Sequence, residues 1–146
     1  MPTMHLSQKT TATPEQFIAG LTDFGPGRSE IFGRSADADL KVHDQGPDWA
    51  DVTEGSGGVW ERLRYDWSDP ARVVLTTTDS NAWGGNSGHT YTFASNPDGT
   101  TQIDAVVVRE GKNVRGRLIG LLLSVAGTRV LGKEFGKTVA AIEARG

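Results

Sequence analysis

Cysteine is absent from the 146 residues, which excludes disulfides, thiol nucleophiles and cysteine-ligated zinc. Histidine is scarce. The three histidines, His5, His43 and His89, include no pair with metal-ligand spacing, so neither a metal nor a cofactor is expected. The longest apolar run, Leu118 to Gly127, falls short of the roughly 20 residues that cross a bilayer. The first residues, Met1-Pro2-Thr3-Met4-His5, lack the apolar stretch of a secretory signal. These absences point to a soluble, cytoplasmic protein. Positive charge is not in excess either: a net charge of −3 and a pI near 5.6 offer no general attraction to nucleic acid.

Familiar chemical motifs are also missing. Gly136-Lys137-Thr138 resembles the end of a phosphate-binding loop, but Leu131 stands where the motif needs its first glycine. Trp83-Gly84-Gly85-Asn86-Ser87-Gly88 precedes a strand pattern rather than opening a helix, which excludes a dinucleotide fingerprint. No serine sits in a Gly-x-Ser-x-Gly elbow.

The chain does contain 19 glycines and two clear changes of hydrophobic period. Met4 to Ala12 alternates weakly, as a first strand would. Thr13-Pro14-Glu15-Gln16 then supplies a helix cap, a first-turn proline and a first-turn acid. Phe17, Ile18 and Leu21 form a short apolar stripe, and Gly25-Pro26-Gly27 stops it before a segment carrying Ile31 and Phe32. Two short helices are therefore expected. From about residue 39 the period is two, with runs near 39–44, 49–54, 59–67, 72–79, 88–94 and 100–109. Turn sequences such as Asn96-Pro97-Asp98-Gly99 separate the runs, so the strands should form an antiparallel meander. After Gly111 the period becomes helical, and Val114, Leu118, Leu121, Leu122, Val125, Val130, Leu131, Phe135, Val139 and Ile142 define one stripe on a helix over 112–145. That stripe is expected to fill the concave face of the sheet, with a bend near Gly127.

This layout, spanning residues 1–146 as a single domain, resembles the START-like superfamily and its polyketide cyclase/dehydrase-like members. The opening Thr13-Pro14-Glu15-Gln16-Phe17, the strand Val59-Trp60-Glu61-Arg62-Leu63-Arg64-Tyr65, the Asn96–Gly99 hairpin and the ending Phe135 to Glu143 carry the resemblance. It implies an α+β helix-grip fold: about seven antiparallel strands in a curved sheet around a long C-terminal helix, with two short helices after the first strand. It also implies an internal cavity for a lipid, polyketide or aromatic molecule, and no universal catalytic set. Fold and function remain separate questions.

Alternation places Val59, Glu61, Leu63, Tyr65 and Trp67 on the inner face of one strand, and Trp60, Arg62, Arg64 and Asp66 on the outer. Glu61 is then a carboxylate on an apolar surface, where desolvation favours the neutral form and suits it to acid/base work. The structural alternative is a glutamate paired with an arginine such as Arg109. His89 shares a face with Tyr91 and Phe93; it is either a proton-transfer or carbonyl-binding group, or a histidine tied down at the end of the sheet. His5 and His43 fall on polar faces. Thr77, Trp83, Ile103, Ala105 and Val107 are further lining candidates from the sheet, with Leu118, Leu122 and Val125 from the helix, and the resemblance implies that Phe32 lies at the mouth. Arg109, Lys112, Arg115 and Arg117 cluster where the last strand meets the helix. They form a solvated patch or, alternatively, a weak contact for an anionic head group or membrane. Three functions compete: a binder of an apolar small molecule, a cyclase/dehydrase-type enzyme using His89 and Glu61, and a protein-interaction module with a vestigial cavity.

Overall fold

A computed structural model describes residues 3–25, 28, 40–56 and 58–145, apart from the side chains at 56, 124 and 125. Its elements in chain order are β1 (Thr3–Thr10), α1 (Pro14–Leu21), β2 (Lys41–Gln45), β3 (Trp49–Ser56), β4 (Val59–Asp69), β5 (Arg72–Ser80), β6 (Gly88–Ser95), β7 (Thr101–Val108) and α2 (Val114–Arg145). The seven strands form one open antiparallel sheet in the order β1-β7-β6-β5-β4-β3-β2. The meander is read correctly from the sequence, and β1 closes the far edge by pairing with β7. The second expected short helix lies outside the described residues.

Local chemistry fixes the joints. Thr13 and Gln16 cap α1 reciprocally, the Thr13 hydroxyl accepting from the Gln16 amide at 3.1 Å and the Gln16 side chain accepting from the Thr13 amide at 2.8 Å. Between β6 and β7, Gly99 takes φ +85°, a conformation that suits only a residue without Cβ. Edge strand β2 is short, wholly exposed and irregularly paired after Val42, features that discourage pairing with another chain.

Helices α1 and α2 pack on one side of the sheet. Phe17 of α1 meets Tyr91 and Phe93 of the sheet and Phe135 of α2, with ring centroids 5.9, 5.5 and 6.4 Å apart. Such tilted and edge-on pairs add to plain area burial. Phe135, Val139 and Ile142 carry the second half of α2 into a core with Leu6, Val52 and Ile103. Its end is pinned as well: Glu143 accepts hydrogen bonds from the Thr10 hydroxyl, the Thr11 amide and the Thr11 hydroxyl at 3.0–3.2 Å.

The first half of α2 corrects the sequence reading. Val114, Leu118, Leu121 and Leu122 are 57–73% exposed, while Gly116, Gly120 and Gly127 are buried. At Gly116 the helix backbone approaches the loop after β5 too closely for a larger side chain, and at Gly127 the Met4 side chain takes the space. A Cβ on Gly116 would lie 2.0 Å from the Ala82 carbonyl oxygen, and one on Gly127 would meet the Met4 sulfur at 2.7 Å.

Candidate functional site

Farther along α2, where helix and sheet separate, they border a half-open cavity of about 420 Å³, within the size range of small-molecule sites. Leu123, Leu131, Phe135 and Thr138 supply the helix side, with Glu134 at the rim. Leu6, Tyr91, Ala105 and Val107 form an apolar stretch of sheet. At the other end Glu54, Trp60, Glu61, Trp83, His89 and Arg109 bring polar groups and two indoles together.

Arg109 organises that end. Just beyond β7, it reaches inward and grips Glu61 with both arms, Nη1 to Oε2 at 2.9 Å and Nη2 to Oε1 at 3.0 Å. Its guanidinium carbon stands 5.3 Å from the centroid of the Trp83 ring. The Thr77 hydroxyl donates to Glu61 Oε2 at 3.0 Å. Burial pushes the Glu61 carboxyl up, but Arg109, His89 and Thr77 together outweigh it and hold the group below the usual carboxylate range. Of the two readings of Glu61, the structure shows the pairing with Arg109, and the carboxyl is held in its ionised form rather than the neutral one.

His89 is the informative member. Its Nε2 lies 2.7 Å from Arg109 Nη2. A guanidinium only donates, so Nε2 must accept and the ring proton resides on Nδ1. Burial, reinforced by Arg109 and opposed by Glu61, lowers the imidazole to about 4, leaving it neutral at pH 7. Nδ1 is itself buried and has no hydrogen-bond partner among the described residues. A buried donor left unsatisfied costs about 1–3 kcal/mol.

A second carboxylate faces the first. Glu54 is the cross-strand neighbour of Glu61 and accepts a short hydrogen bond from the Tyr65 hydroxyl. Arg28 Nη2 donates to that same hydroxyl at 3.0 Å and stands 3.5 Å from Glu54 Oε1. Burial pushes Glu54 up, with Arg28 opposing. The two carboxylates thus shift in opposite directions, the pattern of paired groups with different roles. Tyr91 is pushed up to about 12 by burial and keeps its phenolic proton.

Of the sequence candidates, Glu61, Trp83, His89, Tyr91, Ala105 and Val107 line the cavity. Leu63, Tyr65, Phe93 and Ile103 are buried in the core beside it, and Trp67 packs against that core. Thr77 is buried and acts through Glu61. Leu118 and Leu122 are solvent-facing, which corrects their expected place in the lining. Phe32 and the Val125 side chain lie outside the described residues. Arg109 leaves the expected surface cluster for the interior, while Lys112, Arg115 and Arg117 remain outside. Trp60, assigned to the outer face, is found in the cavity wall. Its neighbour Glu61 lines the same cavity, so strict alternation fails at the start of β4. Glu54 and Arg28 were not anticipated. Glu54 was accessible to the same reasoning, since it stands two residues beyond Val52 on one strand.

A pH dependence follows from His89. It titrates near 4 when folded and near 6.5 when unfolded, so the unfolded chain takes up the extra proton between those values. Stability from keeping the ring neutral is complete above pH 6.5 and is lost as pH falls toward 4. Glu54, raised in the folded state, acts in the opposite sense above its unfolded value, so a comparison of variants isolates the histidine. Urea melts should show wild type losing stability on acidification faster than His89→Gln, by up to about 1.4 kcal/mol per pH unit. Parallel profiles would show that burial does not hold His89 neutral.

No family model and no curated protein matches the chain. Solved structures do, over nearly its whole length. A Thermus thermophilus protein aligns with TM-score 0.76 at 13% identity, covering 99% of both chains. The Zhui aromatase/cyclase from Streptomyces aligns with TM-score 0.72 at 14% identity, covering 99% of this chain and 94% of that one. A START superfamily protein from Mycobacterium smegmatis aligns with TM-score 0.61 at 11% identity, covering 98% and 95%. The chain has the polyketide-cyclase-like START fold.

Proposed function

We propose that the protein binds a largely apolar, aromatic-sized molecule in the cavity between sheet and α2, and that the molecule carries a hydrogen-bond acceptor. One observation carries this reading: neutral His89 lines a cavity otherwise rich in rings and aliphatic side chains, and its buried Nδ1 donor has no partner among the described residues. A carbonyl or phenolic oxygen would satisfy that donor while the body of the ligand packs against Tyr91, Phe135 and Val107. The Streptomyces structure, an aromatase/cyclase, supports a ligand of this kind by likeness of fold.

Trp60 and Trp83 both stand in the wall, so their fluorescence reports occupancy. Titration with fatty acids, sterols, polycyclic hydrocarbons and the corresponding ketones and phenols should give saturable changes, strongest with the oxygenated aromatics. His89→Phe should weaken those by about tenfold, the worth of one net hydrogen bond, and leave the hydrocarbons little changed. A flat response across the whole panel would remove the proposal.

The second reading is a cyclase/dehydrase-type enzyme acting on a polyketide-like or aromatic substrate. The observation that favours it is a neutral imidazole N–H beside an ionised carboxylate in one cavity. With Nε2 occupied by Arg109 and the ring's pKa near 4, His89 is suited to polarise a carbonyl rather than to take up a proton. Product formation from a bound polyketide-like substrate, lost in both His89→Gln and Glu61→Gln, would distinguish an enzyme from a carrier.

A further inference from the structure

The first half of α2 presents an apolar stripe to solvent and no element of the described fold covers it. Val114, Leu118, Leu121 and Leu122 recur at helical spacing and are 73%, 57%, 62% and 69% exposed. Scattered exposed leucines are ordinary, but a contiguous set on one helix face marks an interaction surface. The charges beside it have one sign. Arg115, Arg117, Arg129 and Lys133 are all exposed, and no acidic residue occurs in the sequence between Glu110 and Glu134; Lys112, just before the helix, pairs with Asp79 at 3.6 Å. The whole chain nevertheless carries −3, so its basic charge is concentrated where its exposed leucines are.

We infer that this face of α2 docks on an anionic lipid surface, with Val114, Leu118, Leu121 and Leu122 entering the interfacial region and the flanking arginines and lysines meeting the head groups. A helix of this character lies in the plane of the membrane, held by apolar insertion and charge attraction together. It does not span: no described helix is long and apolar enough to cross. A second copy of the chain is the poorer occupant, because two-fold pairing of this face would set the arginines and lysines of both copies against each other with no acid between them. Docking is independent of what the cavity holds, although Leu123 and Leu131 of the same helix line that cavity from the other side.

Co-sedimentation of the full chain with vesicles tests this directly. Phosphatidylcholine vesicles should bind little. Vesicles of phosphatidylcholine mixed with phosphatidylglycerol should bind the protein at low salt and release it as salt rises. Leu118→Gln/Leu122→Gln should reduce binding by roughly tenfold or more through lost apolar burial. Arg117→Gln/Arg129→Gln should reduce it about 25-fold, near fivefold for each charge removed. Neither variant should shift Tm appreciably, since all four side chains are exposed. Absence of binding to the anionic vesicles at low salt would overturn the inference. So would equal binding by wild type and the leucine variant, which would leave charge attraction alone, or a solution dimer broken by that variant in place of vesicle binding.

Discussion

Arg109→Met is expected to destabilise the protein by about 3–5 kcal/mol, a large share of the roughly 5–15 kcal/mol that holds a typical domain folded. The side chains of Arg109 and Glu61 are only 12% and 14% exposed, so removing the guanidinium leaves a carboxylate with little water to replace it. The Thr77 hydroxyl remains, but His89 Nε2 loses its donor at the same moment. The double variant Arg109→Met/Glu61→Met removes both charges and should recover most of the loss, because apolar replacement of a buried ion pair is often neutral or stabilising. Urea denaturation of the two single variants and the double completes the cycle. A loss below about 1 kcal/mol for Arg109→Met would show that solvent reaches Glu61 freely and that the cluster is not a desolvated unit. A double variant that is stable yet no longer binds the oxygenated aromatics would assign the pair to orienting the ligand rather than to holding the fold.

The strands were readable because alternation is a short-range property. Runs anticipated at 72–79 and 88–94 correspond to β5 at Arg72–Ser80 and β6 at Gly88–Ser95. The partnership of Glu61 with Arg109 was within reach for the same reason, since both fall on inward positions of strands or their ends. What alternation cannot supply is register across the sheet. Glu54 becomes a neighbour of Glu61 only through the β3–β4 pairing, and Trp60 lines the cavity beside Glu61 although alternation sets the two on opposite faces. Nor can a pattern tell which nitrogen of His89 bears the proton. That follows from a contact with Arg109, twenty residues away in sequence.

The helix failed more instructively, and it carries the second large expectation. Hydrophobic periodicity assigns the leucine side of α2 to the core, but a helix can also pack on the face with the least volume when its backbone crosses another at close range. Gly116 sits at such a crossing. Its substitution by alanine improves helix propensity by up to about 1 kcal/mol, yet the added Cβ would fall 2.0 Å from the Ala82 carbonyl oxygen and 3.2 Å from the Gly111 Cα. Both neighbours are backbone and cannot rotate away, and the Lys112 amide donates to that same carbonyl at 3.0 Å. Gly116→Ala should therefore cost about 3 kcal/mol, the upper part of the overpacking range, despite its favourable propensity. Leu118→Gln, the substitution a core stripe would forbid, should change stability by no more than about 0.5 kcal/mol because Leu118 is mostly in solvent. Thermal and urea melts of the two variants decide between the faces. If Leu118→Gln unfolds the protein while Gly116→Ala is neutral or stabilising, the helix is rotated from the position described, and the docking face on its outer side goes with it.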